Sequence, residues 1–324
     1  MTKVRISGLL KIAASSALIG YLLWRCNLPG LWHILHRLNV AYFLGCAGVY
    51  FFAIVADALA WMNLQSVAGL QLGFNATLRI QLIARFFFNI LAGFVGEDAS
   101  RFVLARDKSP GKMGALALSV LLLRVLGLLA LAIVGLTATV WLTLVRGISW
   151  RAAWPLLWPI SMVAGGAIMV LTILLVPSKG WLPSLLQALH INPAVRERWC
   201  VHVDKLHLMV RARRTQTAWG CSLLNQSICY AVAWLLARKL GLDVSLIEMF
   251  AVMPLVTVAV FLPVSLGGLG VREAAFLAVF AQLGLAHAAS RESILALSLA
   301  YYGVNMAVGL CGGLLMMWPT KVKK

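Results

Sequence analysis

Apolar runs long enough to cross a bilayer recur from one end of this 324-residue chain to the other, and they decide the fold class. Inside hydrocarbon a backbone N–H or C=O finds no water, so a segment there must satisfy its own polar groups. Runs of about 18 or more apolar residues do so as helices. Composition agrees: 62% of residues are hydrophobic and 12% charged, where a soluble domain has roughly 45–50% and about 25%. The chain therefore reads as a single all-α, polytopic integral membrane domain over residues 1–324. The first run, near 8–24, contains Lys11. It is too long for a secretory signal and has no small-residue cleavage site, so it reads as a helix.

The apolar segments fall near 8–24, 41–63, 79–95, 113–145, 153–176, 217–237, 247–263, 271–285 and 292–318. Some are poor simple spans. Segment 79–95 carries Arg79 and Arg85 and runs into Gly96-Glu97-Asp98, while 247–263 and 271–285 are short and flank Pro263, Gly267, Gly268 and Gly270. Segment 113–145 exceeds the roughly 20 residues a bilayer needs, so it is expected to tilt or to begin at the interface.

Two pairs of landmarks sit at nearly one separation along the chain. Gly96-Glu97-Asp98-Ala99-Ser100-Arg101 shares its Gly-x4-Arg spacing with Gly267-Gly268-Leu269-Gly270-Val271-Arg272, and Gly69-Leu70 answers to Gly241-Leu242. A duplicated unit with an interrupted, charged segment in each copy is the pattern of a transporter core. With 79–106 and 247–285 as hairpins, six full spans remain, and each half (about 1–150 and 151–324) is span, span, hairpin, span. An odd number of spans makes the halves an inverted repeat, with the hairpins facing each other from opposite sides. The alternative arrangement makes 247–263 and 271–285 ordinary spans, about eight spanning helices in all, and leaves the termini on the same side.

The net charge of +18 would suggest nucleic acid in a soluble protein. In a membrane chain, excess Lys and Arg instead mark cytoplasmic loops and contacts with anionic headgroups. Lys179, Arg196, Arg198, Lys205, Arg211, Arg213 and Arg214 place 177–216 in the cytoplasm; Lys3, Arg5, Lys321, Lys323 and Lys324 place both termini there. A basic amphipathic helix around 201–211 is expected to lie on the inner leaflet. The six cysteines show no CxxC spacing and the close histidine pairs, His33 with His36 and His202 with His207, have no matching ligand set. No metal or cofactor is expected.

The candidates for chemistry are the charges set in apolar sequence: Asp57, Arg85, Glu97, Asp98, Arg101, Arg124, Arg272 and Glu273. Each costs roughly 2.5–3.5 kcal/mol to insert at a helix centre, so each is expected to face a partner or a polar cavity. Arg101 and Arg272 follow glycine-containing breaks, where a helix N-terminus adds a favourable dipole and the guanidinium fork matches a phosphate. A phosphate-bearing lipid headgroup is one reading; internal pairs, Arg101 with Asp98 or Glu97 and Arg272 with Glu273 or a distant acid, are the other. Glu97 and Asp98, like Asp57 and Arg85, are also candidates for coupling or cavity-lining groups. Asn89, Gly96, Pro263, Gly267, Gly268 and Gly270 read as structural: Pro263 ends a helix, Asn89 caps freed backbone groups and the glycines allow the breaks.

Leu262-Pro263-Val264-Ser265-Leu266-Gly267-Gly268-Leu269-Gly270-Val271-Arg272-Glu273 closely resembles the signature of the lysylphosphatidylglycerol synthase transmembrane-domain family. Residues 89–101 resemble its earlier motif and 119–129 its following helix, so the resemblance covers essentially the whole chain. It implies a flippase-like membrane unit, a stand-alone member without the synthase domain, and Asp98, Arg101, Arg124, Arg272 and Glu273 as substrate-binding residues. Leu123 stands where the family usually has an acid, and Glu97 where it tends to have a second glycine, so headgroup preference is expected to differ. The function expected is a lipid flippase or transporter, not an enzyme, in a bacterial or archaeal cytoplasmic membrane. Its cargo would be an anionic or aminoacylated phospholipid or a polyprenyl-phosphate-type lipid. Its partners would be lipid headgroups, with a lipid-modifying enzyme as a further one and no nucleic acid. A non-transporting scaffold for such enzymes and a lipid-phosphate-dependent membrane transferase are the alternatives.

Overall fold

A computed structural model of the chain describes residues 28–91, 93–146, 150–175, 208–261, 268–285 and 290–317. Among them there is helix and turn but no strand. The helices are α1 (Leu28–Leu35), α2 (Val40–Val67), α3 (Phe74–Ile90), α4 (Phe94–Arg106), α5 (Met113–Arg146), α6 (Trp150–Leu175), α7 (Arg213–Lys239), α8 (Leu246–Phe261), α9 (Val271–Gln282) and α10 (Arg291–Met317). Among the described residues four are long and apolar enough to cross a membrane by length and composition: α2, α5, α7 and α10. The chain is a multi-pass membrane protein. The expected span at 8–24, both termini and 177–207 lie outside the described residues, and of the amphipathic stretch at 201–211 the last four residues are described as helix.

The short helices explain the awkward segments. At about 1.5 Å per residue, the 17 residues of α3, 13 of α4, 16 of α8 and 12 of α9 each fall short of a hydrocarbon core of about 30 Å. They form the pairs α3/α4 and α8/α9. By contrast α5 runs unbroken for 34 residues, far longer than the core requires.

The helix ends follow from local sequence. Asn39 caps α2 by accepting the Ala41 N–H at 3.0 Å. Both α2 and α7 close on a glycine with positive φ, Gly69 at 74° and Gly241 at 85°. In each, the next leucine bonds back: Leu70 N–H to the Gln65 carbonyl and Leu242 N–H to the Ala237 carbonyl. This is the Schellman ending, and it makes the Gly-Leu pairs structural equivalents.

Packing repeats on the same plan. Among these eight helices, exchanging α2, α3, α4 and α5 for α7, α8, α9 and α10 carries every closely packed pair onto a closely packed pair. Helices α2 and α7 make the most extensive contact and map onto each other. Small side chains such as Ala53, Ala60, Ala233 and Ala237, all fully buried, let helices approach, as membrane packing requires. Each short pair lies against the last long helix of the other series: α3 on α10, and α8 on α5. Glycines set both crossings. A Cβ on Gly312 would overlap the Leu82 carbonyl, and one on Gly135 would sit 2.8 Å from the Cβ of Pro254.

Candidate functional site

Asp57 on α2, Arg85 on α3, Glu97, Asp98 and Arg101 on α4 and Arg124 on α5 come together in one network. Arg101, 4% exposed, is its centre. Its Nε donates to Gln81 Oε1 at 2.6 Å and its Nη1 to Asp98 Oδ1 at 2.8 Å. Its Nη2 donates to Asp57 Oδ2 at 2.8 Å and Glu97 Oε1 at 2.9 Å. The i,i+3 and i,i+4 spacings put Asp98 and Glu97 on the α4 face that carries Arg101. Arg124 reaches across from α5 to Asp98 at 2.6 Å, and Arg85 lies 3.3 Å from Glu97. Three acids then face three bases, so the network is formally neutral. That pairing is what lets charge persist in an apolar bundle.

The break preceding α4 differs from the one expected. The preceding helix ends at Ile90 and α4 begins at Phe94, capped by Gly93 with φ 54° and ψ −125°, a conformation open to glycine. Gly96 is inside the first turn of α4, and a Cβ there would meet the Leu91 Cβ at 2.5 Å; its smallness serves packing. Arg101 therefore stands about two turns into its helix, whereas Arg272 is the second residue of α9, behind Gly270 with φ 82°. The shared Gly-x4-Arg spacing is not a shared helical register.

On the opposite wall, Arg272 is 4% exposed and lies over the Tyr302 ring at 5.0 Å. Glu273 serves the backbone: its Oε2 accepts the Gly270 N–H at 2.5 Å and its Oε1 the Ser298 hydroxyl at 2.7 Å. It caps α9 in the manner of a capping-box glutamate. Gly268 has φ 78° and packs on Val260; Pro263 and Gly267 lie outside the described residues.

Between these walls is a cavity of about 120 Å³, room for several waters. Asp57, Arg85, Glu97, Arg101 and Arg124 line it from α2–α5, and Asn225, Gln226, Arg272 and Asn305 from α7, α9 and α10. Phe94 at the start of α4 and Phe261 at the end of α8 stack across it, centroids 4.0 Å apart and planes 9° from parallel. The Arg124 guanidinium sits 4.7 Å from the Phe94 ring.

Residues 8–312 match the family model described as the lysylphosphatidylglycerol synthase TM region. The chain belongs to that family. No curated protein matches it. The match to the lysylphosphatidylglycerol synthase TM region spans both series of helices and every residue of the network.

Uncharged members of the site went unnoticed in the sequence. Gln81 holds both Asp57, at 3.1 Å, and Arg101. Asn305 donates to Tyr50 Oη at 2.8 Å and accepts from Asn89 at 3.4 Å. Asn89 also donates to the Arg85 carbonyl, so it ties the last turn of α3 to α10. A buried amide inside an apolar helix is the signal that could have found Gln81 and Asn305.

Proposed function

We propose that this member of the lysylphosphatidylglycerol synthase TM region family moves a lipid between leaflets, its headgroup passing through the cavity between the two helix series. The cargo is an anionic or aminoacylated phospholipid or a polyprenyl-phosphate-type lipid. The protein acts as a carrier and not as an enzyme, in a bacterial or archaeal cytoplasmic membrane with both termini in the cytoplasm. Lipid headgroups are its partners, with a lipid-modifying enzyme upstream as a further one.

One observation carries this reading: Arg85, Arg101, Arg124 and Arg272 line one cavity between two similarly packed helix series. A membrane protein tolerates so much buried charge where a polar cargo must be met. The repeated packing supports an inverted repeat with its site at the repeat interface. The alternation of access would separate the two units made of a short-helix pair and the other half's last helix.

The test is a leaflet-resolved assay in vesicles of phosphatidylethanolamine and phosphatidylglycerol reconstituted with the full chain. Labelled phosphatidylglycerol, its lysyl ester and a polyprenyl phosphate are compared with labelled diacylglycerol. Protein-dependent movement of at least one phosphate-bearing lipid is expected. No movement above protein-free vesicles for any of them would leave the scaffold reading in its place.

A further inference from the structure

The guanidiniums of Arg85, Arg101 and Arg124 do not stand in equal relation to Glu97. Arg101 is hydrogen-bonded to it at 2.9 Å, while Arg85 is at 3.3 Å and Arg124 at 3.9 Å from its oxygens. Arg101 is also held by Gln81, Asp57 and Asp98, so its donors are committed. Arg85 is less so; Arg124 is held by Asp98, its Nε at 2.9 Å and its Nη2 at 2.6 Å, and only distantly by Glu97. The side chain of Arg85 is 11% and that of Arg124 21% exposed, against 4% for Arg101. The buried Arg85 Nε has no hydrogen-bond partner among the described residues. Aromatic rings lie against both guanidiniums, Phe88 at 5.3 Å for Arg85 and Phe94 for Arg124. A guanidinium against a ring presents its in-plane N–H edge to a ligand, the edge that matches a phosphate.

We propose that Glu97 is a resident stand-in for the cargo's phosphate: a phosphate ester entering the cavity takes Arg85 over from Glu97, which stays with Arg101, and draws Arg124 from Asp98. The inference rests on the lipid-carrier reading and deepens it by naming the phosphate as the recognised group and Arg85 as a ligand. It also makes Arg101 a positioning residue that holds Glu97 and Asp98 in place, where the sequence pattern had suggested a phosphate fork. Before cargo enters, the network's charges satisfy one another, and binding proceeds by exchange of one anion for another.

The exchange has a signature that a merely structural role would not produce, namely opposite signs on neighbouring residues. Full-length protein in detergent is titrated with dihexanoylphosphatidylglycerol below its micelle concentration, with inorganic phosphate, and with dihexanoylglycerol as the phosphate-free control. The phosphate lipid should bind and the control should not. Binding of inorganic phosphate as well assigns recognition to the phosphate alone, and its absence assigns it to the lipid phosphate. Arg85→Gln and Arg124→Gln should each weaken binding about tenfold, the loss of a charge-assisted bond. Glu97→Gln, which removes the competing anion and keeps the shape, should tighten it several-fold. Where Glu97→Gln fails to fold, Glu97→Asp, which draws the carboxylate back from Arg85 and Arg124, should tighten it instead. Equal binding of the control, unchanged binding in both arginine variants, or weaker or unchanged binding in the folded Glu97 variant each overturns the exchange. Those results can coexist with lipid movement in vesicles, so failure here and failure of the carrier reading are separate outcomes.

Discussion

The two short-helix pairs occupy matching places in the packing and do different work. The pair α3/α4 carries Arg85, Glu97, Asp98 and Arg101 and organises the charge network. The pair α8/α9 carries Arg272 toward the cavity, while its two acids serve backbone at helix starts: Glu273 accepts the Gly270 N–H at α9 and Glu248 the Ser245 N–H at α8. What is repeated is what packing requires: helix lengths, glycine endings and glycine crossings. What is not repeated is the chemistry. A duplicated scaffold can therefore keep its shape while one copy concentrates the buried charge, since charge needs partners within a few ångströms and not a symmetric counterpart.

The strongest effect is expected from removing the centre of the network. Arg101→Leu leaves Asp57, Glu97 and Asp98 with less positive charge than negative, and a buried pair broken on one side costs about 3–5 kcal/mol. Thermal unfolding in detergent should show a collapse of stability, or no folded protein at all. Arg101→Lys, which keeps charge but cannot span Gln81, Asp57 and Asp98 together, should fall between that and the wild type.

Next come the glycine crossings. Gly312→Ala meets a backbone carbonyl and Gly135→Ala meets the Pro254 side chain, and overpacking costs about 1–3 kcal/mol. Both should lower the unfolding temperature, Gly312→Ala more, because a backbone yields less than a side chain. Equal tolerance of both would show that the crossings are not set by these glycines. The smallest effect is expected at the cap. Glu273→Gln keeps an acceptor for the Gly270 N–H and loses the charge facing the helix N-terminus, a change of about 0.3–1 kcal/mol. Unfolding should shift by a degree or two, with phosphate-lipid binding unchanged.

Much of this was legible beforehand because it rests on local physics. Apolar length marks α2, α5, α7 and α10, and Gly69-Leu70 with Gly241-Leu242 marks two identical helix endings. Charges in apolar sequence picked out Asp57, Arg85, Glu97, Asp98, Arg101 and Arg124, since each needs a partner. The break at Gly93 was misplaced at Gly96 because spacing records glycines without telling turn from close packing; only the contact with Leu91 separates them. Gln81 and Asn305 escaped because an amide carries no charge to flag it. The division of labour between Arg101 and Arg85 depends on which acids lie within 3 Å, and that is a property of the assembled helices.

On the proposed carrier function, cargo passes between the two helix series at the Phe94–Phe261 stack. Phe94→Cys and Phe261→Cys, in a chain with its six native cysteines replaced by alanine, place two thiols where the rings now touch. The doubly substituted protein is reconstituted, joined with a short thiol-to-thiol cross-linker that a reductant cleaves, and assayed for leaflet-resolved lipid movement. Movement should stop on cross-linking and return on reduction, while each single variant is unaffected by the reagent. Undiminished movement through a fully cross-linked protein would mean that the headgroup travels by another route.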